Sequence, residues 1–127
     1  MASILVVEDT ADIRDILTRQ LRYAGHHVMS AVNGIEGIAC ARAQLPDLIV
    51  MDLIMPTLNG WEAIKALKAD ARCADLPILA ISAHALIDTR EQALAAGCDA
   101  FISKPFTMHE LFAAVDILTG MAERVVS

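Results

Sequence analysis

Several polar residues with chemically useful side chains stand directly after short apolar runs of the sequence. These residues are Glu8, Asp9, Asp52, Ser82 and Lys104. An apolar run that ends at an acid is typical of a buried strand, and the carboxyl ends of parallel strands meet at one edge of an open sheet. We therefore expect three carboxylates, a hydroxyl and an ammonium group to share one shallow pocket.

The carboxylates of such a pocket repel one another, and their pKa values rise unless a cation neutralises them. Oxygen ligands of this kind suit Mg²⁺, which binds one or two carboxylates together with a phosphate oxygen. Lys104 and Ser82 could hold the other oxygens of a phosphoryl group, and carboxylate nucleophiles form aspartyl phosphates in other proteins. The residue types thus predict that Asp52 accepts a phosphoryl group beside a divalent ion.

The apolar pattern predicts strands that alternate with helices along the chain. Strands are predicted at 3–7, 27–31, 48–51, 77–81 and 101–103. Helices are predicted after the N-cap residues Thr10, Asn33, Asn59 and Thr107, and over 87–96. Such alternation favours a parallel sheet with helices on both faces. The predicted fold class is α/β: a doubly wound (βα)5 three-layer sandwich of the flavodoxin-like type, with a five-stranded sheet in the order 2-1-3-4-5.

Composition excludes several classes of protein. The 127 residues are assigned to one domain, 1–127, with its core at about 3–119. A net charge of −6 argues against electrostatic binding to nucleic acid or anionic lipid. Neither a signal peptide nor a membrane-spanning run is predicted. The cysteines Cys40, Cys73 and Cys98 lack metal-ligand spacing and indicate reduced, buried or half-exposed thiols in the cytoplasm.

The histidines and the tryptophan are predicted to be structural rather than catalytic. His26, His27 and His109 have no partner at metal-ligand spacing, so we expect them at the surface. Trp61 lies at helical spacing with apolar neighbours and is expected to pack on a helix face.

Five short stretches share their order and spacing with one family of signalling proteins. They are VVEDT (6–10), LIVMDLIMP (48–56), NG (59–60), ISAHA (81–85) and FISKPF (101–106). Each stretch is weak evidence alone, but together they cover the whole chain. The sequence resembles the receiver domain of two-component response regulators, and is similar to the single-domain chemotaxis and DivK-like regulators.

The resemblance implies a metal site around a phosphoacceptor. Asp52 would be the phosphoacceptor. Glu8, Asp9, Asp52 and the backbone carbonyl of Ile54 would hold Mg²⁺, or Mn²⁺ in its place. The family uses the residue two positions past the acceptor in this way.

The resemblance also implies a switch. Ser82 would be the hydroxyl that moves to the phosphoryl group, Lys104 the phosphate contact and Phe101 the rotating aromatic residue. The Lys104–Pro105 peptide bond would be cis, as is usual for that motif.

Partners follow from the same resemblance. A histidine kinase or a histidine phosphotransfer protein would donate the phosphoryl group, and an unidentified downstream protein would respond. We expect no nucleic acid or membrane partner, no output domain, and no enzyme activity beyond self-phosphorylation and slow dephosphorylation. Donor specificity would lie in the loop after Lys104 and on the exposed face of the first helix, at Asp12, Arg14, Asp15 and Arg19.

Three residues depart from the commonest family pattern. Ile54 stands where several members have a polar side chain, and we hypothesise that it shields the acyl phosphate and slows its hydrolysis. His84, two residues past Ser82, is another position that varies with dephosphorylation rate in the family. Phe101 lacks the hydroxyl of a tyrosine, so a switch that needs this hydroxyl at the surface is not available.

The sequence argues against two other functions and leaves a third as the alternative to the phosphorylation switch. A phosphatase of the haloacid-dehalogenase type needs a second aspartate two residues past the nucleophile, where this chain has Ile54. A flavodoxin-type flavin site needs a hydroxyl- and glycine-rich phosphate loop after the first strand, where Glu8 and Asp9 would repel the phosphate. A receiver-like scaffold that works without phosphorylation remains the alternative.

Overall fold

A computed structural model of the chain describes residues 2–55, 58–83 and 87–120, and for 87–90 it describes the backbone only. Within these residues, five strands alternate with five helices. The elements are β1 (Ser3–Val7), α1 (Ala11–Tyr23), β2 (His27–Ala31), α2 (Gly34–Gln44), β3 (Leu48–Asp52), α3 (Gly60–Ala69), β4 (Ile78–Ser82), α4 (Ile87–Ala96), β5 (Ala100–Ser103) and α5 (Met108–Leu118). None of the described helices is both long and apolar enough to cross a membrane.

The five strands form one parallel sheet in the order β2-β1-β3-β4-β5, which confirms the predicted fold class. The central strand β3 is buried along its whole length, and its Val50 pairs with Val6 of β1. A parallel sheet needs apolar residues on both faces because helices cover both. The run at 48–51 is apolar at every position for this reason.

Alternate residues of β1 belong to two separate cores, one on each face of the sheet. Leu5 and Val7 pack in a core with residues of α2, α3 and α4, whereas Ile4 and Val6 pack in a core with residues of α1 and α5. Trp61 packs against the first of these cores, as predicted. The described residues therefore form a three-layer sandwich, with the sheet between two layers of helices.

Three helices begin at side-chain caps that the sequence predicted. Asn33 and Asn59 accept hydrogen bonds from the backbone N–H groups of Glu36 and Glu62, at 2.8 and 3.0 Å, and Thr107 forms a complete capping box with Glu110. Thr10 is the N-cap of α1, but its side chain makes no cap hydrogen bond. The cap at Asn59 sets the start of α3 close after Asp52.

One sequence-based expectation about exposure is wrong. His26 was expected at the surface, yet only 7% of it is exposed, and its Nδ1 atom is satisfied there by a hydrogen bond from the N–H of Ala2 at 3.1 Å. Ile16 and Ile35 follow the helical spacing of buried residues, but they are 54% and 57% exposed. Their spacing places them at the edge of an apolar stripe, where the neighbouring elements leave them uncovered.

The burial of His26 predicts an acid-sensitive stability. Burial and the positive charge of the chain's N-terminus lower the pKa of His26 below its ordinary value of 6.5, against a smaller opposite effect of Asp116. Below pH 6.5 the unfolded chain therefore takes up a proton that the folded chain resists, so acidification favours unfolding. We expect the melting temperature of the wild type to fall between pH 7.5 and 5.5 by a few degrees more than that of His26→Asn.

The exposed neighbour His27 provides the control for this prediction. His27→Asn should keep the wild-type pH dependence in the same thermal melts. Parallel melting curves for the wild type and His26→Asn over this pH range would contradict the prediction.

Candidate functional site

The predicted site residues stand at the carboxyl ends of four neighbouring strands. Asp52 and Ser82 are the last residues of β3 and β4, Glu8 directly follows β1, and Lys104 directly follows β5. Parallel pairing in this strand order brings the four ends to one edge of the sheet. The chain begins new strands at the opposite edge, so this edge collects the polar residues that terminate apolar runs.

Three carboxylates form a compact cluster at this edge. Glu8, Asp9 and Asp52 each offer an oxygen, and these atoms all lie within 4.8 Å of one another. Glu8 and Asp52 are buried, at 0% and 5% exposure, while Asp9 is exposed. Hard oxygen donors that lie this close, partly open to solvent, fit a hydrated Mg²⁺ ion, which retains several waters and takes few protein ligands. The donor set is thus compatible with the magnesium that the sequence predicts.

Lys104 places its ammonium group against two of the carboxylates. Its Nζ atom lies 3.0 Å from Oε1 of Glu8 and 3.5 Å from Oδ2 of Asp52. The backbone N–H of Lys104 donates to the carbonyl of Ser82 at 2.8 Å, and the Lys104–Pro105 peptide bond is cis. The lysine therefore continues the pairing of β4 and β5, so its position is set by the sheet.

Burial and mutual repulsion shift the acids of the cluster. Burial raises the pKa of Glu8, the neighbouring Asp52 carboxyl raises it further, and Lys104 offsets part of the rise. Burial also raises the pKa of Asp9, with a further contribution from Glu8. The pKa values of both acids therefore stay raised although Lys104 lies beside them. A further cation in this pocket would stabilise their ionised forms.

Hydrogen bonds from backbone N–H groups fix the turn after β3. The N–H of Ile54 donates to Oδ1 of Asp52 at 3.1 Å, which orients the carboxylate, while 45% of Ile54 is exposed. The N–H of Gly60 donates to the carbonyl of Leu53 at 3.0 Å. A Cβ atom on Gly60 would lie only 2.6 Å from the carbonyl oxygen of Asp52, so α3 starts in direct contact with the backbone of the site.

Two other predicted site residues lie on β4 and β5, and a third lies outside the residues that the structure describes. Ser82 is fully buried at the end of β4. Phe101 is half-buried and packs against the core that β1 shares with α2, α3 and α4. His84 lies outside the described residues.

Sequence reasoning missed the roles of two residues at this site. Gly60 was noted only as part of the stretch NG (59–60), although its lack of a side chain permits the close approach to Asp52. Arg14 was assigned to partner recognition, but its guanidinium donates to the backbone carbonyl of Glu8 at 2.9 Å. Local spacing could not have shown either contact, since both depend on how separate segments meet.

Comparisons with known proteins agree on one family. A family model described as the response regulator receiver domain matches residues 4–116. The DNA-binding dual master transcriptional regulator RpaA of Synechocystis is 36% identical over 125 residues, which are 98% of this chain and 52% of the relative. The chain therefore spans about half the length of the curated relatives that it matches first.

Solved structures with the same architecture span nearly the whole chain. Chemotaxis protein CheY4 of Vibrio cholerae has a TM-score of 0.88 and 29% identity, covering 93% of this chain and 98% of its own. The receiver domain of sensor histidine kinase PA1611 from Pseudomonas aeruginosa also has a TM-score of 0.88, with 33% identity, covering 94% of this chain and 98% of its own. That structure carries a magnesium ion coordinated in its active-site cleft.

Proposed function

The chain belongs to the response regulator receiver family, and we propose that it accepts a phosphoryl group on Asp52 from a phosphohistidine of a partner protein. The observation that carries this proposal is the position of Asp52: it ends β3 with two further acids within 4.8 Å and with Lys104 Nζ 3.5 Å from its Oδ2 atom. Burying an ionised carboxylate at a sheet edge costs free energy unless partners of opposite charge or hydrogen-bond donors stabilise it. The donor would be a histidine kinase or a histidine phosphotransfer protein.

In the proposed transfer, a carboxylate oxygen of Asp52 attacks the phosphorus atom. The P–N bond of the phosphohistidine breaks, and its electron pair leaves with the imidazole, which takes up a proton. Lys104 already contacts the Asp52 carboxylate, so its ammonium group is placed to balance the charge of the phosphoryl oxygens. The product is an aspartyl phosphate on this chain.

Glu8, Asp9, Asp52 and the backbone carbonyl of Ile54 would hold the divalent ion. Mg²⁺, or Mn²⁺ in its place, would supply Lewis-acid stabilisation of the phosphoryl group when bound. The compact cluster of carboxylate oxygens supports this assignment, and so does the magnesium in the related PA1611 receiver domain.

Phosphorylation would act as a switch through Ser82 and Phe101. Ser82 lies at the end of the strand next to Asp52, and Phe101 pairs with Ala80 across β4 and β5. A phosphoryl group that contacts the Ser82 hydroxyl would bias a pre-existing equilibrium of the loops after β3 and β4. The output would be a change in contact with an unidentified downstream protein, and the net charge of −6 makes nucleic acid an unsuitable direct partner of this surface.

A groove beside Lys104 is suited to the phosphodonor. Ile13 and Ile16 of α1 face Pro105 and Phe106 across a cavity of about 330 Å³ that also reaches Lys104. Ile16 is 54% exposed, so an apolar side chain of the donor would gain burial there. The groove lies between α1 and the loop after Lys104, but its α1 residues are Ile13, Ile16, Leu17 and Gln20 rather than the polar residues of α1 that the sequence assigned to donor specificity.

Incubation with acetyl phosphate tests the proposed function. The intact protein is weighed by mass spectrometry after exposure to acetyl phosphate with Mg²⁺, and in parallel with EDTA. A labile gain of one phosphoryl group that needs Mg²⁺ supports the proposal. Continuous turnover of phosphoesters would support an enzyme instead, and no gain would support the phosphorylation-independent scaffold.

Ile54 offers a prediction about the lifetime of the signal. Its backbone N–H contacts the Asp52 carboxylate, and its exposed, apolar side chain cannot orient a water molecule for attack. We expect the half-life of phosphorylated Asp52 to be roughly tenfold shorter in Ile54→Asn, because an amide can position the attacking water. The half-life is measured from the loss of the phosphoryl group, followed by intact-protein mass, after the phosphodonor is removed.

The matched control is Ile117→Asn, which changes an exposed isoleucine of α5 in the same way. It should keep the wild-type half-life. An equal or longer half-life in Ile54→Asn would remove the shielding role of Ile54.

A further inference from the structure

Arg14 contacts the acidic loop from the neighbouring helix. It lies half-buried in the first turns of α1. Its Nη1 atom donates to the backbone carbonyl of Glu8 at 2.9 Å and approaches that of Asp9 at 3.4 Å. One guanidinium nitrogen thus lies against the carbonyls of two successive residues, Glu8 and Asp9, which supply two of the clustered acids.

Glu8 is held at several points, and among the described residues only Arg14 donates a side-chain hydrogen bond to its carbonyl. Lys104 contacts the Glu8 side chain at 3.0 Å, and the N–H of Glu8 donates to the carbonyl of Ala31 at 3.1 Å. The Arg14 contact restrains the carbonyl side of the same residue. Side chain, N–H and carbonyl of Glu8 are therefore each tied to a different element of the fold.

We propose that Arg14 is a positioning residue of the acidic site, which holds the peptide groups of Glu8 and Asp9 so that their carboxylates are aligned for a divalent ion. This role rests on the proposed function, because it needs the metal site. Mg²⁺ demands near-octahedral geometry at short distances and tolerates little displacement of its ligands. Removal of a residue that orients metal ligands lowers metal affinity by about 10- to 100-fold in other sites.

Charge and position make opposite predictions for Arg14. The guanidinium is a positive charge beside the proposed Mg²⁺ site. If Arg14 contributed only its charge, its removal would reduce repulsion and increase the affinity for Mg²⁺. Loss of positioning would instead weaken binding. The sign of the change in Mg²⁺ affinity therefore separates a positioning residue from a residue that only contributes charge.

Calorimetric titration with MgCl₂ alone, at constant ionic strength, tests the proposal. We expect Arg14→Met, which keeps an unbranched apolar stem, to raise the Kd for Mg²⁺ about tenfold. Arg14→Lys should give a Kd between those of the wild type and Arg14→Met, since its ammonium group can still donate to a carbonyl but is carried on a more flexible stem than the planar guanidinium. The control Lys65→Met removes a positive charge from an exposed position of α3 and should leave the Kd within about twofold of the wild type.

The backbone gives a second readout that does not depend on metal. In ¹H–¹⁵N spectra without Mg²⁺, Arg14→Met should shift the amide signals of Asp9 and Thr10, whose peptide groups contain the two carbonyls, while those of α3 stay in place. Thermal melts establish that the variant is folded, and if Arg14→Met does not fold, Arg14→Lys decides by the same titration.

The outcomes separate this role from the proposed function. A wild type that binds Mg²⁺ while the folded Arg14 variant binds it equally or more tightly overturns the positioning role alone. A wild type that takes up no Mg²⁺ overturns the proposed metal site and this role together.

Discussion

Asp52→Asn should gain no phosphoryl group from acetyl phosphate and Mg²⁺, under conditions in which the wild type gains one. The substitution keeps the shape of the side chain but replaces the nucleophilic carboxylate with an amide, which does not form an acyl phosphate. The amide oxygen can still accept the hydrogen bond that the N–H of Ile54 gives to Oδ1 of Asp52. The loss should therefore be chemical rather than structural, and intact-protein mass spectrometry measures it directly.

Asp75→Asn is the control for this experiment, because Asp75 is an exposed acid in the loop before β4. It should gain the phosphoryl group as the wild type does. A labile gain that persists in Asp52→Asn would assign the acceptor to another acid of the cluster, such as Asp9. Equal melting temperatures of the variants would exclude unfolding as the cause of a loss.

Gly60→Ala should both destabilise the protein and impair phosphorylation. The new Cβ atom would lie 2.6 Å from the carbonyl oxygen of Asp52 and 2.6 Å from the Cα atom of Leu53, which are backbone atoms in a buried strand and turn. Neither can yield as a flexible side chain would, so α3 must move away from β3. We expect the free energy of unfolding to fall by about 3 kcal/mol, measured by urea denaturation.

The same displacement should slow phosphorylation by roughly tenfold or more, because the β3–α3 turn carries Ile54 and orients Asp52. Gly25→Ala is the control. Gly25 has a φ of +98° but nothing within 4 Å of the added atom, so the alanine variant should be strained by about 1 kcal/mol without a clash. If Gly60→Ala were no less stable than Gly25→Ala, the close approach at Asp52 would not be rigid.

The architecture and the clustering of the site could be predicted from local sequence patterns. Apolar runs of strand length mark β1, β3 and β4, and each ends at or just before a polar residue of the site. Because parallel strands end at one edge, the order of elements alone brought Glu8, Asp52 and Lys104 together. The caps Asn33 and Asn59 were equally visible, since a cap hydrogen bond joins residues only three positions apart.

Exposure was predicted less well, because periodicity shows which side of a helix is apolar but not how much of it the neighbours cover. Ile16 and Ile35 have the spacing of core residues and yet stand more than half exposed. His26 is polar and yet is buried, and its Nδ1 atom accepts a hydrogen bond from the N–H of Ala2, 24 residues away in the sequence. In each case a segment distant in sequence decided the outcome.

The amino-acid sequence by itself therefore determined the (βα)5 order, the strand ends and the identity of the acids and lysine that meet there. Only the tertiary structure decided how those residues are held: Arg14 against the carbonyl of Glu8, and Gly60 against the backbone of Asp52. The physical reason is that hydrophobic patterning and caps act over a few residues. The contacts that orient a side chain within a site arise where separate elements pack together, and no local pattern records them.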